Sequence, residues 1–249
     1  MRIAVAGGTG VVGRRIVESA RARGHDVVVL ARSHGVDLAT GDGLASAVAG
    51  ANVIVDASNI ASSRRQVVTD YFVAATRHLH AAAHAAGVTH LVVLSIVGID
   101  RVPGFAYYDA KVAQEAEARR GPTPISIVRA TQFHEFAGQL LSRFGVGPVA
   151  SIPAFPIQPV ATRSVAELLV DVAEGEPGKF PEIGGPEVVD LVAAARATLA
   201  RRGVRRAVLP VRIPGAPGRA LRAGALLLSD DRNIAGPSFT QWLAGPEFV

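Results

Sequence analysis

The chain has 249 residues, 49% of them hydrophobic and 19% charged, which is enough for a sizeable core and excludes a disordered chain. No apolar run approaches the roughly 20 residues of a membrane helix, and the lack of cysteine removes disulfides, thiolate metal sites and a cysteine nucleophile. The formal net charge of +5 is almost all arginine, and its densest cluster (Arg201, Arg202, Arg205 and Arg206) has no interleaved aromatics, so it reads as a solvated helix end rather than a nucleic-acid surface.

In chain order, residues 3–6 read as a strand and 11–23 as a helix that Gly24 ends. A strand at 27–30 follows, then a short Val36-Asp37-Leu38, a brief helix at 43–48 and a strand at 53–55. A long helix covers 64–86 and stops at Gly87. Residues 91–94 are apolar on both faces, the mark of a central parallel strand. A helix at 107–120 and a strand at 125–128 complete the alternation. Such βα repetition predicts an α/β fold with a doubly wound parallel sheet of Rossmann type. The pattern loosens after Arg129, where glycines and prolines break up 145–160. Helices at 164–173 and 188–202, an irregular stretch at 210–218 and a short helix around Trp242 follow. The whole chain reads as one domain, with residues from about 130 onward forming a small C-terminal substrate lobe. The N-terminus enters the first strand at once, leaving no room for a signal peptide, so a cytoplasmic protein is expected.

Gly7-Gly8-Thr9-Gly10-Val11-Val12-Gly13 lies directly after the first strand and opens the first helix. Gly7 permits the tight turn, Gly10 lets a pyrophosphate approach the backbone, and Gly13 lets the helix pack against the sheet. The N–H groups of Thr9, Val11 and Val12 then face the phosphates, aided by the helix dipole. The next strand ends Leu30-Ala31-Arg32-Ser33, with no acidic residue before Asp37. An acidic residue there would bind a ribose 2′-hydroxyl, whereas Arg32, with Ser33 and Arg14, favours a 2′-phosphate and hence NADP(H). The bland alternative is a surface arginine in an arginine-rich chain.

Ser95 closes the central strand at the edge where open α/β sheets bind ligands. Tyr107 and Lys111 are four apart on one helix face. An ammonium beside a phenol is expected to lower the tyrosine pKa towards neutrality, so that Tyr107 can act as acid while Ser95 holds the substrate oxygen.

With these residues the chain resembles the short-chain dehydrogenase/reductase superfamily, most closely its atypical NmrA-like and isoflavone-reductase-like members. The marks are the glycine turn, Asp56-Ala57-Ser58-Asn59, Leu94-Ser95-Ile96-Val97-Gly98, Tyr107-x-x-x-Lys111 and Arg129-Ala130-Thr131-Gln132-Phe133. The resemblance implies that Ala57 and Ser58 line the cofactor and Lys111 binds the nicotinamide ribose. It also implies that Thr131 and Phe133 flank the nicotinamide and that Asp37 and Leu38 lie beside the adenine. Many relatives carry an Asn in the long helix four residues before a Thr; if Thr76 is that Thr, Phe72 replaces the Asn.

His134, Phe136 and Phe155 read as substrate contacts; the alternative for His134 and Phe136 is that they simply start a helix. His80 and His84 have helical metal-clamp spacing but no acidic neighbour, so no metal is expected. The expected function is NADP(H)-dependent hydride transfer on a carbonyl or hydroxyl of a small, mostly apolar molecule. The rivals are a non-catalytic NADP(H) sensor and, third, an epimerase or dehydratase, against which the small lobe speaks. No nucleic-acid or membrane partner is expected, and the chain is read as a monomer or homodimer.

Overall fold

The computed structural model describes residues 1–230 and 233–248. In chain order the elements are β1 (Arg2–Ala6), α1 (Val11–Ala22), β2 (Asp26–Leu30), α2 (Leu44–Ala47), β3 (Val53–Asp56), α3 (Arg65–Ala85), β4 (His90–Ile96), α4 (Ala106–Arg120) and β5 (Ile125–Ala130). Then come α5 (Phe136–Phe144), β6 (Gly145–Val146), β7 (Val149–Pro153), β8 (Pro156–Ile157), α6 (Thr162–Glu174), β9 (Glu182–Ile183), β10 (Val189–Asp190), α7 (Leu191–Arg201), β11 (Ala207–Val211), α8 (Gly215–Arg222) and α9 (Phe239–Ala244). The chain divides into two compact units. The first comprises Met1–Ser95, Ala106–Arg129 and Thr162–Pro181; the second comprises Ile96–Phe105, Ala130–Ala161 and the chain from Glu182 on.

In the first unit the strands run β2-β1-β3-β4-β5. Ile3 pairs in parallel register with Val27 on one side and Val53 on the other, and Val53 pairs with His90. The chain moves outward from β1 to β2 and then crosses back to β3, so the winding direction reverses beside β1. Right-handed crossovers therefore place α1 on one face of the sheet and α2, α3 and α4 on the other. Correspondingly, α1 packs on α6 and α3 packs on α4. With both faces covered, Ile3 to Ala6 and Leu91 to Val93 are fully buried, which is why these strands are apolar without alternation. On the α3 side, Ala4, Ile54, Leu91, Val93 and Ile127 form one core with Leu79, Ala83 and Ala118. At about 1.5–3 kcal/mol for each large buried aliphatic side chain, this layer is the main force holding the sheet to α3 and α4.

The second unit carries the sheet β11-β7-β6, in which β7 is parallel to β11 and antiparallel to β6, and a small antiparallel pair of β8 with β10. The stretch 145–160, expected to be broken, is thus largely strand. Its breakers sit where strands tolerate them: Gly147 at φ +55 turns the two-residue hairpin between β6 and β7, and Pro153 ends β7. Pro210 lies in the edge strand β11, so the stretch expected to be irregular is partly ordered, and α8 begins within it. The helix expected from 188 starts later, at Leu191, because the Asp190 carboxylate caps it by accepting the Ala193 N–H at 3.0 Å. The arginine cluster is also less free than expected. Arg201 Nε donates to the Leu243 carbonyl and Arg206 to that of Leu141, while the Arg201 and Arg202 guanidinium groups lie over Phe248.

No helix among the described residues is long and apolar enough to cross a membrane.

Candidate active site

The glycine turn is built as its spacing requires. Gly7 has φ +72 and donates its N–H to the Leu30 carbonyl, closing the strand-to-helix turn. A Cβ on Gly7 would stand 2.7 Å from Ala57 O, so this turn lies directly against the Ala57–Ser58 backbone. A Cβ on Gly13 would stand only 2.0 Å from Gly7 O. Helix α1 begins at Gly10 without a side-chain cap, and its first intrahelical bond runs from Arg14 N–H to Gly10 O. The preceding N–H groups, at Val11 and Val12 among others, are those that helix geometry leaves without a carbonyl. A cradle this tight, with open donors and no side chain in the way, fits a pyrophosphate.

At the end of β2, Arg32 and Ser33 are exposed. The Arg32 guanidinium has no hydrogen-bond or ion-pair partner among the described residues, whereas Arg14 is tied to the Thr9 carbonyl at 2.7 Å and Ser33 Oγ meets His34 Nδ1. Asp37 accepts the Ala39 N–H, and Leu38 is buried in the core, with its carbonyl against His78 Nδ1. Tyr71 was missed by the sequence reading. Burial and the neighbouring Asp56 charge push its phenol pKa up.

The residues around Lys111 form a buried polar cluster. Asp56, which is buried, ends β3; one carboxylate oxygen accepts the Ser58 N–H at 2.9 Å and the other accepts Gln114 Nε2 at 3.0 Å. Lys111 is buried too, and its ammonium donates to Gln114 Oε1 and, at 2.7 Å, to the Leu94 carbonyl. It lies 4.7 Å over the ring of Phe72, the fully buried residue at the expected Asn position. Burial pulls the Lys111 pKa down to about 8, against the opposing pull of Asp56 and Glu115. Ser95 Oγ, at the end of β4, is buried and has no hydrogen-bond partner among the described residues.

Tyr107 departs from expectation. Its hydroxyl donates to Asn59 Oδ1 at 3.0 Å, and no hydrogen bond joins it to Lys111 among the described residues. Its ring packs edge-on against Phe72 and Tyr108, and burial pushes its pKa up to about 12. The expected lowering towards neutrality is therefore corrected: Lys111 is engaged elsewhere, and desolvation governs the phenol. Asn59 and Gln114 were not singled out from sequence. Gln114 had a signal, since it stands at i+3 from Lys111 on the same helix face.

The remaining expected residues lie in the second unit. Thr131 spends both donors locally, its Oγ on the Gln158 carbonyl and its N–H on that of Ile183. Phe133 bridges Val160, Phe155 is buried, and Phe136 opens α5 half-buried. His134 is buried; it stacks on Trp242 at 5.1 Å and approaches the Pro237 carbonyl through Nε2. It secures the C-terminal helix. Burial holds its pKa down, at about 4. An unfolded histidine takes up its proton near pH 6.5, so stability is complete above that pH and falls as pH drops towards 4. Urea unfolding at pH 7.5 and pH 5 should show this loss in the wild type and a smaller one in His134→Phe.

His80 Nε2 faces the Ala118 carbonyl. A cavity of about 560 Å³ lined by Asn52, Thr89, His90 and residues 173–177 opens at the amino ends of β3 and β4, the edge opposite the glycine turn.

A family model described as NAD(P)H-binding matches residues 7–176, well over half of the chain. The chain belongs to this NAD(P)H-binding family. Solved structures at low identity share its Rossmann-type α/β fold. MoeE5 in complex with UDP-glucuronic acid and NAD superimposes with TM-score 0.74 at 16% identity, covering 98% of this chain and 97% of that one. A short-chain dehydrogenase/reductase superfamily protein from Agrobacterium tumefaciens with bound NAD gives TM-score 0.68 at 20% identity, covering 98% and 95%. The dTDP-4-dehydrorhamnose reductase of Bacillus anthracis in complex with NADP gives 0.68 at 15%, covering 84% of each chain. No curated protein matches the sequence. A nicotinamide cofactor is thus the family's ligand, and the glycine cradle of this chain fits it.

Proposed function

We propose that this protein is an NADP(H)-dependent oxidoreductase acting on a carbonyl or hydroxyl carbon of a small, mostly apolar molecule. The observation that carries this reading is Ser95 Oγ, buried and without a partner among the described residues, at the carboxyl end of β4, on the sheet edge that also presents the glycine cradle. A buried hydroxyl left unpaired costs roughly 1–3 kcal/mol, a cost that hydrogen bonding to a substrate oxygen would offset. Gly7, Thr9, Gly10, Val11, Val12 and Gly13 would hold the pyrophosphate. Ala57 and Ser58 back that turn, and Thr131 and Phe133 are assigned to the nicotinamide end by family resemblance. When bound, the reduced nicotinamide supplies the hydride. Tyr107, held protonated by its raised pKa, gives its proton to the carbonyl oxygen as the carbon is reduced, and Ser95 donates a hydrogen bond to that oxygen.

Arg32 supports NADP(H) over NAD(H), because it is the unpartnered cation at the end of β2. A charge-assisted contact to a 2′-phosphate is worth about 1.5–3 kcal/mol. Calorimetric titration should therefore show tighter binding of NADPH than NADH, and Arg32→Ala should erase most of the difference. Equal affinities in the wild type would sink the assignment.

A non-catalytic sensor is favoured by one observation, the separation of Tyr107 from Lys111 in hydrogen bonding. The substrate panel that decides between enzyme and sensor should include sugar nucleotides. MoeE5 binds one with a chain that this one covers to 97%, so lobe size does not argue against them. NADPH that binds tightly yet is oxidised by no member of the panel would favour the sensor.

A further inference from the structure

We infer that Gln114 is the positioning residue for Lys111 in this protein, tying its ammonium through one side-chain amide to the buried carboxylate of Asp56. The inference rests on the oxidoreductase reading for its purpose, but not for its test.

Three observations carry it. First, Phe72, the α3 residue that faces the ammonium, offers it a π-face at 4.7 Å but no oxygen. Second, the buried ammonium still needs acceptors, and the side chain that supplies one is Gln114, on the same helix as Lys111 and three residues further on. Third, the amide cannot be turned over without loss. Its oxygen accepts from Lys111 and its nitrogen donates to Asp56, so a flip would set a donor against the ammonium and an acceptor against the carboxylate. The chain then ends on the Ser58 N–H, in the turn that backs Gly7. Lys111, Gln114, Asp56 and Ser58 thus form one buried line from the helix face of the reactive tyrosine to the floor of the cofactor cradle.

The charged and titratable groups facing Lys111 are few. Asp56 comes from β3. Glu115 comes from α4, but it is engaged by Arg129 and Arg119. β4 contributes the Leu94 carbonyl and the neutral Ser95, and α3 contributes the ring of Phe72, with the phenol of Tyr71 near Asp56. Asp56 is therefore the anion available to balance Lys111, and Gln114 is what connects them. Without the amide, the lysine would keep its desolvation and lose an acceptor and its link to the carboxylate, so its proton would be held less firmly.

The chain contains only two lysines, Lys111 and Lys179, so selective 13C-lysine labelling gives two titration curves by NMR, and Lys179 serves as an internal control. Lys111 in the wild type should titrate near pH 8. In Gln114→Leu its midpoint should fall by one pH unit or more, a tenfold or greater loss of proton affinity, with the Lys179 curve unchanged. Asp56→Asn, which keeps the shape but removes the charge and turns one of the two acceptors into a donor, should lower it in the same direction. Gln114→Glu restores an oxygen to the ammonium and should leave the midpoint at or above the wild-type value. If Gln114→Leu does not fold, the two near-isosteric variants decide the matter. A Lys111 midpoint that stays with the wild type in Asp56→Asn and falls in Gln114→Glu would overturn the inference, as would an unchanged midpoint in a folded Gln114→Leu. None of these measurements needs a substrate. A protein with the expected titration but no turnover would count against the oxidoreductase reading and leave the role of Gln114 standing.

Discussion

Tyr107→Phe should lower carbonyl reduction by about 10²–10⁴, the usual contribution of a general acid, and leave NADPH affinity nearly unchanged. The substitution is conservative for the fold. The ring keeps its edge-on contacts with Phe72 and Tyr108, and only the hydrogen bond to Asn59 is lost. Asn59 is exposed and its oxygen still receives the Ile60 N–H, so the loss of stability should stay near 1 kcal/mol. Tyr108→Phe is the matched control and should retain turnover, because Tyr108 is buried about 100° round the helix. Lys111→Met should do wider damage, since it removes the ammonium that serves Leu94 and Gln114. The sign of the pH dependence follows from the raised phenol pKa. The acid form persists through neutral pH, so reduction does not lose its proton donor there. Oxidation, which needs the phenolate as base, should instead gain rate as pH rises towards 12. Full turnover by Tyr107→Phe would remove Tyr107 from the reaction and leave Ser95 without its partner in the scheme.

How much of this could be read from the sequence depended on how local the determining physics was. The βα alternation, the glycine turn and the strand ends were legible because each is set by neighbouring residues. Two buried faces demand unbroken apolar strands, and only glycine fits 2.0 Å from a carbonyl at position 13. The second unit was less legible because proline is informative only once its edge is known. Pro210 in an edge strand and Pro148 in a hairpin turn cost no ladder bond, yet both read as breakers. The state of Tyr107 was illegible for another reason. The i, i+4 spacing to Lys111 was correct, but where a flexible ammonium goes is decided by competing acceptors. Leu94, Gln114 and, beyond it, Asp56 come from three different elements. That Phe72 offers Lys111 no oxygen could be read from the sequence, but the acceptor that Gln114 gives it could not.

The second large effect should be structural and should come from Glu115. This carboxylate is 7% exposed and grips Arg129 with both oxygens, at 2.9 and 2.8 Å, so it clamps α4 to β5. Arg119 lies 3.8 Å away on the solvent side. Bidentate geometry makes such a pair strong, but its net worth is limited by the desolvation of both ions. Removing one partner is a different matter, because truncating one side of a buried pair costs about 3–5 kcal/mol. The Arg129 side chain is 26% exposed, so water can reach part of it and the lower end of that range applies. Glu115→Ala should therefore lose about 3 kcal/mol in urea unfolding, or roughly 6–12 °C in Tm for a chain of this size. The paired replacement Glu115→Leu with Arg129→Leu should recover much of that loss, since it removes both charges together. A double-mutant cycle separates the two costs. A single Glu115→Ala variant within 1 kcal/mol of the wild type would mean that solvent already satisfies Arg129 and that the clamp is not what fixes α4, and with it Tyr107 and Lys111, on the sheet.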